Sequence, residues 1–130
     1  LSQSGRLIRD KLMTALKPVG IVPQELAILR LLVVSREPIS QQAIGAKCNL
    51  DKTTVTELVD GLEGQVYVRR QVSAKDRRSK IISITASGRR VLNKAEKLAT
   101  VAEENFTSLM TEREWSTVRK CLIRFIEEHS

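Results

Sequence analysis

The feature that most constrains this sequence is the spacing of three residues between two short amphipathic segments. Gly45 is followed four residues later by Asn49 and, six residues after that, by Val55. A glycine lets a second helix approach closely, and an asparagine tolerates the left-handed backbone that a tight turn requires. Val55 is then the first apolar anchor of the second helix. The spacing favours a helix-turn-helix over a generic helical hairpin.

The two helices of this motif have sequence signals for where they begin. Ser40 can cap a first helix that reaches to about Cys48. Asp51 can cap the amide of Thr53 or Thr54 and so begin a second helix, which runs to about residue 63. The remaining core positions of the motif are Ile44, Cys48, Leu50 and Leu58.

The second helix has one apolar and one polar face. At 100° per residue, a buried stripe forms within about 60° of Val55, and polar residues point the other way. The stripe comprises Leu58, Val59 and Leu62, and the polar side comprises Thr53, Glu57 and Asp60, with Thr56 and Lys52 on the flank. Such a helix can place its polar side chains in the major groove of DNA. The alternative is that they are ordinary exposed residues.

The rest of the chain predicts a mainly α-helical protein with a small β-hairpin. Further helices are predicted from Ser4 to Leu16, from Gln24 to Val34, from Thr85 onward, and after a capping box at 111–114. Pro18 and Gly20 end the first of these helices. Strands are predicted at 66–72 and 80–84. The helix from Gln24 is apolar on almost all sides, which indicates burial on most of its surface. We expect one domain, 1–130, in which a winged-helix lobe at about 23–90 is flanked by dimerisation helices at 1–20 and 88–130.

Basic residues are concentrated in the middle of the chain. Residues 40–90 carry ten basic and five acidic side chains, and the stretch 69–80 holds a single acid, Asp76. The basic residues of that stretch are Arg69, Arg70, Lys75, Arg77, Arg78 and Lys80. Such a cluster attracts a polyanion and releases counterions on binding it. The alternative is a solvated basic face that maintains solubility.

A charged loop between two strands, beside a helix-turn-helix, is typical of a winged helix. An arginine at the tip of such a hairpin can enter the adjacent minor groove. We hypothesise that the Asp76 carboxylate pairs with Arg78 and holds the loop in shape, leaving Arg77 or Lys75 for DNA; the alternative is a floppy turn with a weak ion pair. The predicted DNA-binding residues are Ser40, Gln41, Lys52, Thr53, Thr54, Thr56, Glu57, Lys75, Asp76, Arg77, Arg78 and Lys80.

Several segments resemble motifs of the MarR (multiple antibiotic resistance regulator) family. Its recognition helix resembles three segments of this chain, DKTTVT at 51–56, LVD at 58–60 and LE at 62–63. Its wing resembles DRR at 76–78 together with ITASG at 84–88. The start of its second helix resembles GIVPQ at 20–24. The resemblance covers essentially the whole chain. It implies a winged helix, an obligate homodimer with interlocked first and last helices, pseudo-palindromic operators in double-stranded DNA, and release by a small anionic aromatic effector. The pocket residues for that effector are unknown.

Three features depart from the family pattern. Position 57, commonly arginine in the family, is Glu57, so base preference does not follow from the resemblance. The glycine that usually ends the recognition helix aligns with Val66, and Gly64 lies two residues earlier. The chain has one Trp, one Tyr and two Phe, which leaves few rings for an aromatic-lined pocket.

Apolar faces at both chain ends predict a homodimer. Neither the first nor the last helix has an obvious partner within a single winged-helix lobe, and a second copy is the simplest way to bury both. The predicted dimerisation residues are Ile8, Leu12, Leu16, Trp115, Val118, Leu122 and Phe125. The alternative is that both ends pack against their own domain.

The sequence argues against catalysis, a metal site, a cofactor and a membrane span. It has no glycine-rich phosphate loop, nucleophile elbow or paired catalytic carboxylates, and His129 has no partners for a zinc site. Cys48 falls on a core position, and Cys121 lies beside the apolar face of the last helix. No apolar run approaches the roughly 20 residues of a membrane span. No signal segment opens the chain, although Leu1 suggests a trimmed N-terminus, so a cytoplasmic location is expected.

Two other functions stay open at this point. Glu57 and Asp60 on the polar face favour a winged-helix module that binds an acidic partner other than DNA. A thiol-based redox switch is the second, although peroxide-sensing relatives use a cysteine near the start of the chain, where this sequence has none. The main prediction is a ligand-responsive DNA-binding regulator, a repressor by resemblance; the operator, the regulated genes and the effector do not follow from the sequence.

Overall fold

The helix and strand boundaries follow the sequence signals closely. The computed structural model describes residues 3–108 and 112–129. Its helices are α1 (Gln3–Leu16), α2 (Pro23–Ser35), α3 (Gln41–Cys48), α4 (Lys52–Gly64), α5 (Ala86–Ser108) and α6 (Glu112–His129), and its strands are β1 (Ile39–Ser40), β2 (Val68–Val72) and β3 (Lys80–Ile84). A 3₁₀ turn at Lys17–Val19 and Gly20, with φ of 71°, end α1 as predicted. The mainly α-helical class is confirmed; Thr111 of the predicted capping box lies outside the described residues.

Helix α2 lies at the centre of the hydrophobic core. It packs against α1, α3, α4, α5 and β3. Its buried residues include Leu26, Ile28, Leu29 and Leu32, as expected for a helix with apolar residues on several sides. The predicted burial does not extend to the C-terminal end, where Val34 is 76% exposed. The rest of the core comprises Leu16, Ile21, Ile44, Cys48, Val55, Val59, Leu62, Val68, Ile82, Val91, Leu92 and Ala95.

Length and apolar content together decide whether a helix can cross a membrane. In residues 3–108 and 112–129, no single helix is long and apolar enough to cross a membrane. One bent pair, residues 9–19 together with α2, meets the length and composition criteria jointly, with an angle of 73° between its halves.

The β-sheet has three strands rather than the predicted two. It is antiparallel, in the order β1-β3-β2. Strand β3 pairs along its length with β2 and, through Ile82, with Ile39 of β1. A two-residue strand carries no alternation that sequence periodicity can reveal, which is why the sequence does not predict β1.

Strand β2 begins two residues later than predicted because the chain turns at Val66. Val66 has φ of 63°, in the left-handed region where a β-branched residue is strained. Its amide donates to the Glu63 carbonyl at 2.9 Å, and the Tyr67 amide donates to the Leu62 carbonyl at 2.9 Å, so both carbonyls at the end of α4 are satisfied. The Val66 side chain is 65% exposed, so its burial offsets little of the strain.

Replacing Val66 with glycine is expected to stabilise the protein by about 1 kcal/mol, because glycine adopts positive φ at little cost. Val72→Gly is the matched control: Val72 is 59% exposed but lies in β2, where glycine weakens a strand. Urea unfolding of both variants should show opposite shifts in midpoint. A loss of stability in Val66→Gly equal to that in Val72→Gly would contradict the strain at Val66.

Helix α2 begins with a buried carboxylate. Glu25 is 8% exposed, and its Oε1 accepts a hydrogen bond from the Val22 amide at 3.0 Å, which satisfies a free donor at the start of α2. Its other oxygen faces α4, since a Cβ on Gly61 would lie 3.5 Å from Oε2. Burial raises the pKa of Glu25 above its ordinary range, and the Val22 hydrogen bond opposes part of that rise.

Replacing Glu25 with glutamine is expected to remove a pH-dependent loss of stability. Because the native pKa is raised, the native state binds more protons than the unfolded state as pH climbs through and above the ordinary range of a glutamate. The free energy of unfolding therefore falls as pH rises there. Glutamine keeps an acceptor for the Val22 amide but cannot ionise. In urea unfolding between about pH 4 and pH 8, the free energy of unfolding of the variant should increase relative to that of the wild type as pH rises. Parallel pH profiles of the two proteins would refute this role of Glu25.

Candidate nucleic-acid interface

The turn between α3 and α4 has the predicted geometry. A Cβ on Gly45 would lie 3.1 Å from the Leu50 carbonyl oxygen and 3.2 Å from Cγ2 of Val55, so the helices meet where only a small residue fits. Asn49 ends α3 in the left-handed region, at φ 54° and ψ 48°. The Leu50 amide then donates to the Gly45 carbonyl at 2.8 Å. The helix-turn-helix prediction agrees with each of these contacts.

Both helices are capped by the side chains that the sequence indicates. Ser40 Oγ accepts from the Ala43 amide at 3.0 Å, and Asp51 Oδ1 accepts from the Thr54 amide at 2.7 Å. Hydrogen bonds from the side chain of Thr54 and from its backbone amide lower the pKa of Asp51. Ser40 is therefore engaged in capping α3, and Asp51 is held as a carboxylate at the first turn of α4.

The exposed face of α4 is narrower than predicted. Lys52, Thr53 and Glu57 are exposed, whereas Thr56 is half-buried. The Thr56 hydroxyl accepts from Gln41 Nε2 at 2.9 Å and donates to the Lys52 carbonyl at 2.8 Å. Thr56 thus joins α3 to α4, and Thr53 is the threonine whose side chain lies open to solvent.

Asp60 does not present a bare negative charge. Its Oδ1 lies 2.7 Å from Nη2 of Arg70 on β2, and Glu63 Oε1 lies 3.9 Å from Nη1 of the same guanidinium. The contact is an ion pair, and Nη2 of Arg70 forms no hydrogen bond within the described part of the chain. Arg70 is 14% exposed and is not free for a ligand in solution. Asp60 consequently gives little support to a surface that repels DNA.

The loop between β2 and β3 is ordered by backbone hydrogen bonds. The Ser73 amide donates to the Ser79 carbonyl at 2.9 Å, and the Ser79 amide donates to the Asp76 carbonyl at 3.0 Å. Asp76 Oδ1 accepts from the Arg78 backbone amide at 3.0 Å. The predicted Asp76–Arg78 ion pair is wrong, because a short carboxylate bonds to its own backbone two residues on. Arg77 and Arg78 are both exposed, with no ion pair among the described residues.

A cleft of about 670 Å³ separates the helix-turn-helix from the hairpin. The predicted DNA-binding residues that line it are Gln41, Lys52, Thr56, Asp76, Arg78 and Lys80. Gln42 and Arg70 line it too, although neither is a predicted DNA-binding residue. Cationic side chains therefore flank the cleft on both sides, from α4 and from the wing. Thr53, Glu57, Lys75 and Arg77 are exposed outside its lining, and Thr54 is half-buried with its amide bonded to Asp51. The alternation of side chains along a strand predicts that Arg69 and Arg70 lie on opposite faces of β2. It does not predict that Arg70 has an acidic partner on α4.

The described residues contain no metal-binding cluster. No group of three or more His, Cys, Asp or Glu side chains within them could hold a metal ion. Cys48 is buried, and that burial raises the pKa of its thiol, as expected of a small core residue. The side chains of Cys121 and His129 lie outside the described residues.

Comparison with known proteins identifies this arrangement. The sequence model of the MarR family matches residues 21–80. The HTH-type transcriptional regulator MhqR of Bacillus subtilis (strain 168) is 36% identical over 93 residues, which are 72% of this chain and 63% of MhqR. A MarR-family transcriptional regulator from Rhodococcus sp. RHA1 superposes with a TM-score of 0.78 at 26% identity, over 91% of this chain and 83% of that one. CouR from Rhodococcus jostii RHA1, solved with p-coumaroyl-CoA, gives 0.74 at 25% identity, over 91% of this chain and 82% of CouR.

The chain belongs to the MarR family. Its winged-helix class is therefore confirmed, and the relatives are transcriptional regulators rather than enzymes, as the sequence predicts. The chain spans 63% of the length of MhqR.

Two departures from the MarR pattern have clear structural consequences. The position where the MarR resemblance expects a glycine is Val66, and its φ of 63° explains why glycine suits that site. Glu57, where arginine is common, is exposed on α4 and forms no ion pair within the described part of the chain. Glutamate at this position presents a hydrogen-bond acceptor rather than a donor on the exposed side of α4.

The predicted MarR dimer interface is only partly accessible in a single chain. Leu16 is completely buried in its own core, so its assignment as a dimer contact needs correction, and Leu12 is half-buried. Helix α1 packs against α2 and α5 of the same chain, and therefore does have a partner within the protomer. The side chains of Ile8, Trp115, Val118, Leu122 and Phe125 lie outside the described residues.

Proposed function

We propose that the protein is a cytoplasmic, sequence-specific regulator of transcription that binds double-stranded DNA as a homodimer. The observation that carries this proposal is the capped, exposed first turn of α4, with Lys52 and Thr53, set beside an ordered hairpin that exposes Arg77 and Arg78. An α-helix fits the major groove, and a basic hairpin beside it can contact the neighbouring minor groove.

Each exposed group has a chemical role in this proposal. Lys52 can reach a phosphate or guanine, and the Thr53 hydroxyl can bond a base edge while its methyl contacts thymine. Glu57 can accept from the amino group of cytosine but repels phosphate, so it disfavours other bases and non-specific binding. The wing arginines contact the backbone or a narrow minor groove.

The homodimer and the effector are further parts of the proposal. C2 pairing would set two copies of α4 about one helical turn apart on a pseudo-palindromic operator. CouR, a relative at 25% identity, binds p-coumaroyl-CoA, which supports an anionic aromatic effector for this chain. Release of DNA by that effector, and therefore a repressor, completes the proposal.

Selection from a random duplex pool tests this function. We expect enrichment of a pseudo-palindrome whose half-sites lie about one turn apart, bound at least 10³-fold more tightly than bulk DNA. Enrichment of no sequence, with weak binding that vanishes on adding salt, would refute sequence-specific regulation. That result would favour a module for another acidic partner, for which exposed Glu57 is the supporting observation.

Thr53→Ala is expected to relax base preference by about 1 kcal/mol at one position of each half-site, because Thr53 is the open hydroxyl of α4. Thr100→Ala, exposed on α5, serves as the control. Selection profiles of the two variants should differ at that position alone. An unchanged preference in Thr53→Ala would move base recognition to another residue.

A further inference from the structure

Glu57 carries an unpaired negative charge on the exposed side of α4. It forms no ion pair within residues 3–108 and 112–129, whereas Asp60 and Glu63 lie 2.7 Å and 3.9 Å from the Arg70 guanidinium. Lys52 leaves the helix about 140° away from Glu57, too far round to neutralise it. The Glu57 carboxylate therefore keeps its charge and its hydrogen-bond acceptors for a molecule that binds to this face.

Glu57 is separated from the other open side chain of this face by one helical turn. At 100° and 1.5 Å per residue, Thr53 and Glu57 lie about 40° apart around α4 and about 6 Å apart along it. Both are exposed, whereas Thr56 is half-buried and bonded to Gln41. Successive bases of a DNA strand lie about 3.4 Å apart, so Thr53 and Glu57 meet different base pairs of one half-site.

The chemistry of a carboxylate restricts the base that Glu57 can contact. An ionised carboxylate only accepts hydrogen bonds, and the donors in the major groove are the amino groups of cytosine and adenine. The adenine amino group lies beside N7, an acceptor that repels a carboxylate, whereas the cytosine amino group lies beside a C–H group. Guanine and thymine present acceptor oxygens on the same edge. Cytosine is therefore the base that suits Glu57.

The same contact makes Glu57 sensitive to one modification of cytosine. In a cytosine–guanine pair, one amino hydrogen bonds to the guanine and the other projects into the major groove. A methyl group on N4 replaces the projecting hydrogen and preserves the pair, so the carboxylate meets a methyl group and loses its donor. An acceptor that is desolvated without a partner weakens binding. A methyl group on C5 leaves both amino hydrogens in place.

We propose that Glu57 makes DNA binding depend on the unmethylated amino group of one cytosine in each half-site, so that the protein discriminates against N4-methylated operators. The discrimination arises from the unfavourable contact of a carboxylate with any base edge that offers no donor. This inference rests on the proposed DNA-binding function and names the base group that the function recognises.

Selection from a random duplex pool with wild type and Glu57→Ala locates the cytosine. We expect one position of each half-site to be cytosine in the wild-type profile and unrestricted in the Glu57→Ala profile. Glu57→Gln should favour adenine there, because an amide can donate to N7 and accept from the amino group. Glu37→Ala, which removes the same charge from an exposed position outside α4, should keep the wild-type profile.

Anisotropy titrations with the selected duplex then test the methyl group. N4-methylcytosine at the identified position should weaken wild-type binding about tenfold or more, and 5-methylcytosine should change it less than about threefold. Glu57→Ala should bind the N4-methylated and unmodified duplexes equally, because it has no carboxylate to lose a partner. Glu37→Ala should lose as much affinity on N4-methylation as the wild type.

Four results would overturn the proposal: a Glu57→Ala profile identical to that of the wild type, equal wild-type affinity for N4-methylated and unmodified duplexes, an equal loss with 5-methylcytosine, or an equal loss in Glu57→Ala. Wild-type binding to the unmodified selected duplex tests the proposed function by itself. Tight binding there without sensitivity to N4-methylation would refute the role of Glu57 alone. Selection of no sequence at all would refute both the proposed function and this inference.

Discussion

Gly88→Ala is expected to lower the free energy of unfolding by about 3 kcal/mol and the melting temperature by roughly 10 °C, because the added methyl group has no room. A Cβ at Gly88 would lie 2.1 Å from the Tyr67 carbonyl oxygen and 2.8 Å from Cγ1 of Ile84. The backbones cannot separate freely, since the Tyr67 carbonyl accepts from the Thr85 amide and Thr85 Oγ1 accepts from the Gly88 amide. Thermal and urea unfolding would measure the loss.

Gly64→Ala is the matched control for this substitution. A Cβ at Gly64 has no neighbour within 4 Å, and Gly64 is the last residue of α4. Alanine is favoured over glycine in a helix by roughly 0.5–1 kcal/mol, so Gly64→Ala should be neutral or slightly stabilising. If Gly88→Ala unfolds at the same urea concentration as Gly64→Ala, the backbone contact between α5 and Tyr67 is not a constraint on the fold.

Arg77→Ala and Arg78→Ala are each expected to weaken DNA binding about tenfold, because each removes an exposed cation from the ordered wing loop. The slope of log affinity against log salt should fall by about 0.9 for each phosphate that the variant no longer neutralises. Fluorescence anisotropy with the selected duplex at several salt concentrations measures both quantities.

Arg89→Ala, which removes the same charge from an exposed position on α5, controls for a general loss of positive charge. It should leave the salt slope within error of the wild type. Circular dichroism should show that all three variants fold, since none of these side chains is buried. Wild-type affinity in both wing variants, with the fold intact, would show that the hairpin does not contact DNA.

Local chemistry made most of the DNA-binding lobe predictable. Its turn and its helix starts depend on residues that act on their close neighbours in the chain. These residues are Gly45, Asn49, Ser40 and Asp51, and the structure places all four as expected. The sequence resemblance supplied the winged-helix class and the importance of the glycine position now occupied by Val66.

Three of the features that were not predicted depend on contacts between distant segments, and the fourth is a local competition within the wing loop. Strand β1 exists because β3 offers it an edge, and Arg70 is unavailable to a ligand because Asp60 lies opposite it on α4. Asp76 bonds to a backbone amide rather than to a guanidinium, a competition that residue spacing does not decide. Leu16 is a further example. The helical periodicity of α1 places Leu16 on the apolar face, but it does not predict whether that face packs against the same chain or against a second copy.

The ion pairs between Arg70 and the acids of α4 have a consequence for the proposed operator. They connect β2 to α4 within one chain, so we expect a fixed distance between the proposed major-groove and minor-groove contacts. An operator with a base pair inserted inside a half-site should therefore bind poorly. In the proposed dimer, tolerance of unequal spacing between half-sites would have to come from the contact between the two subunits.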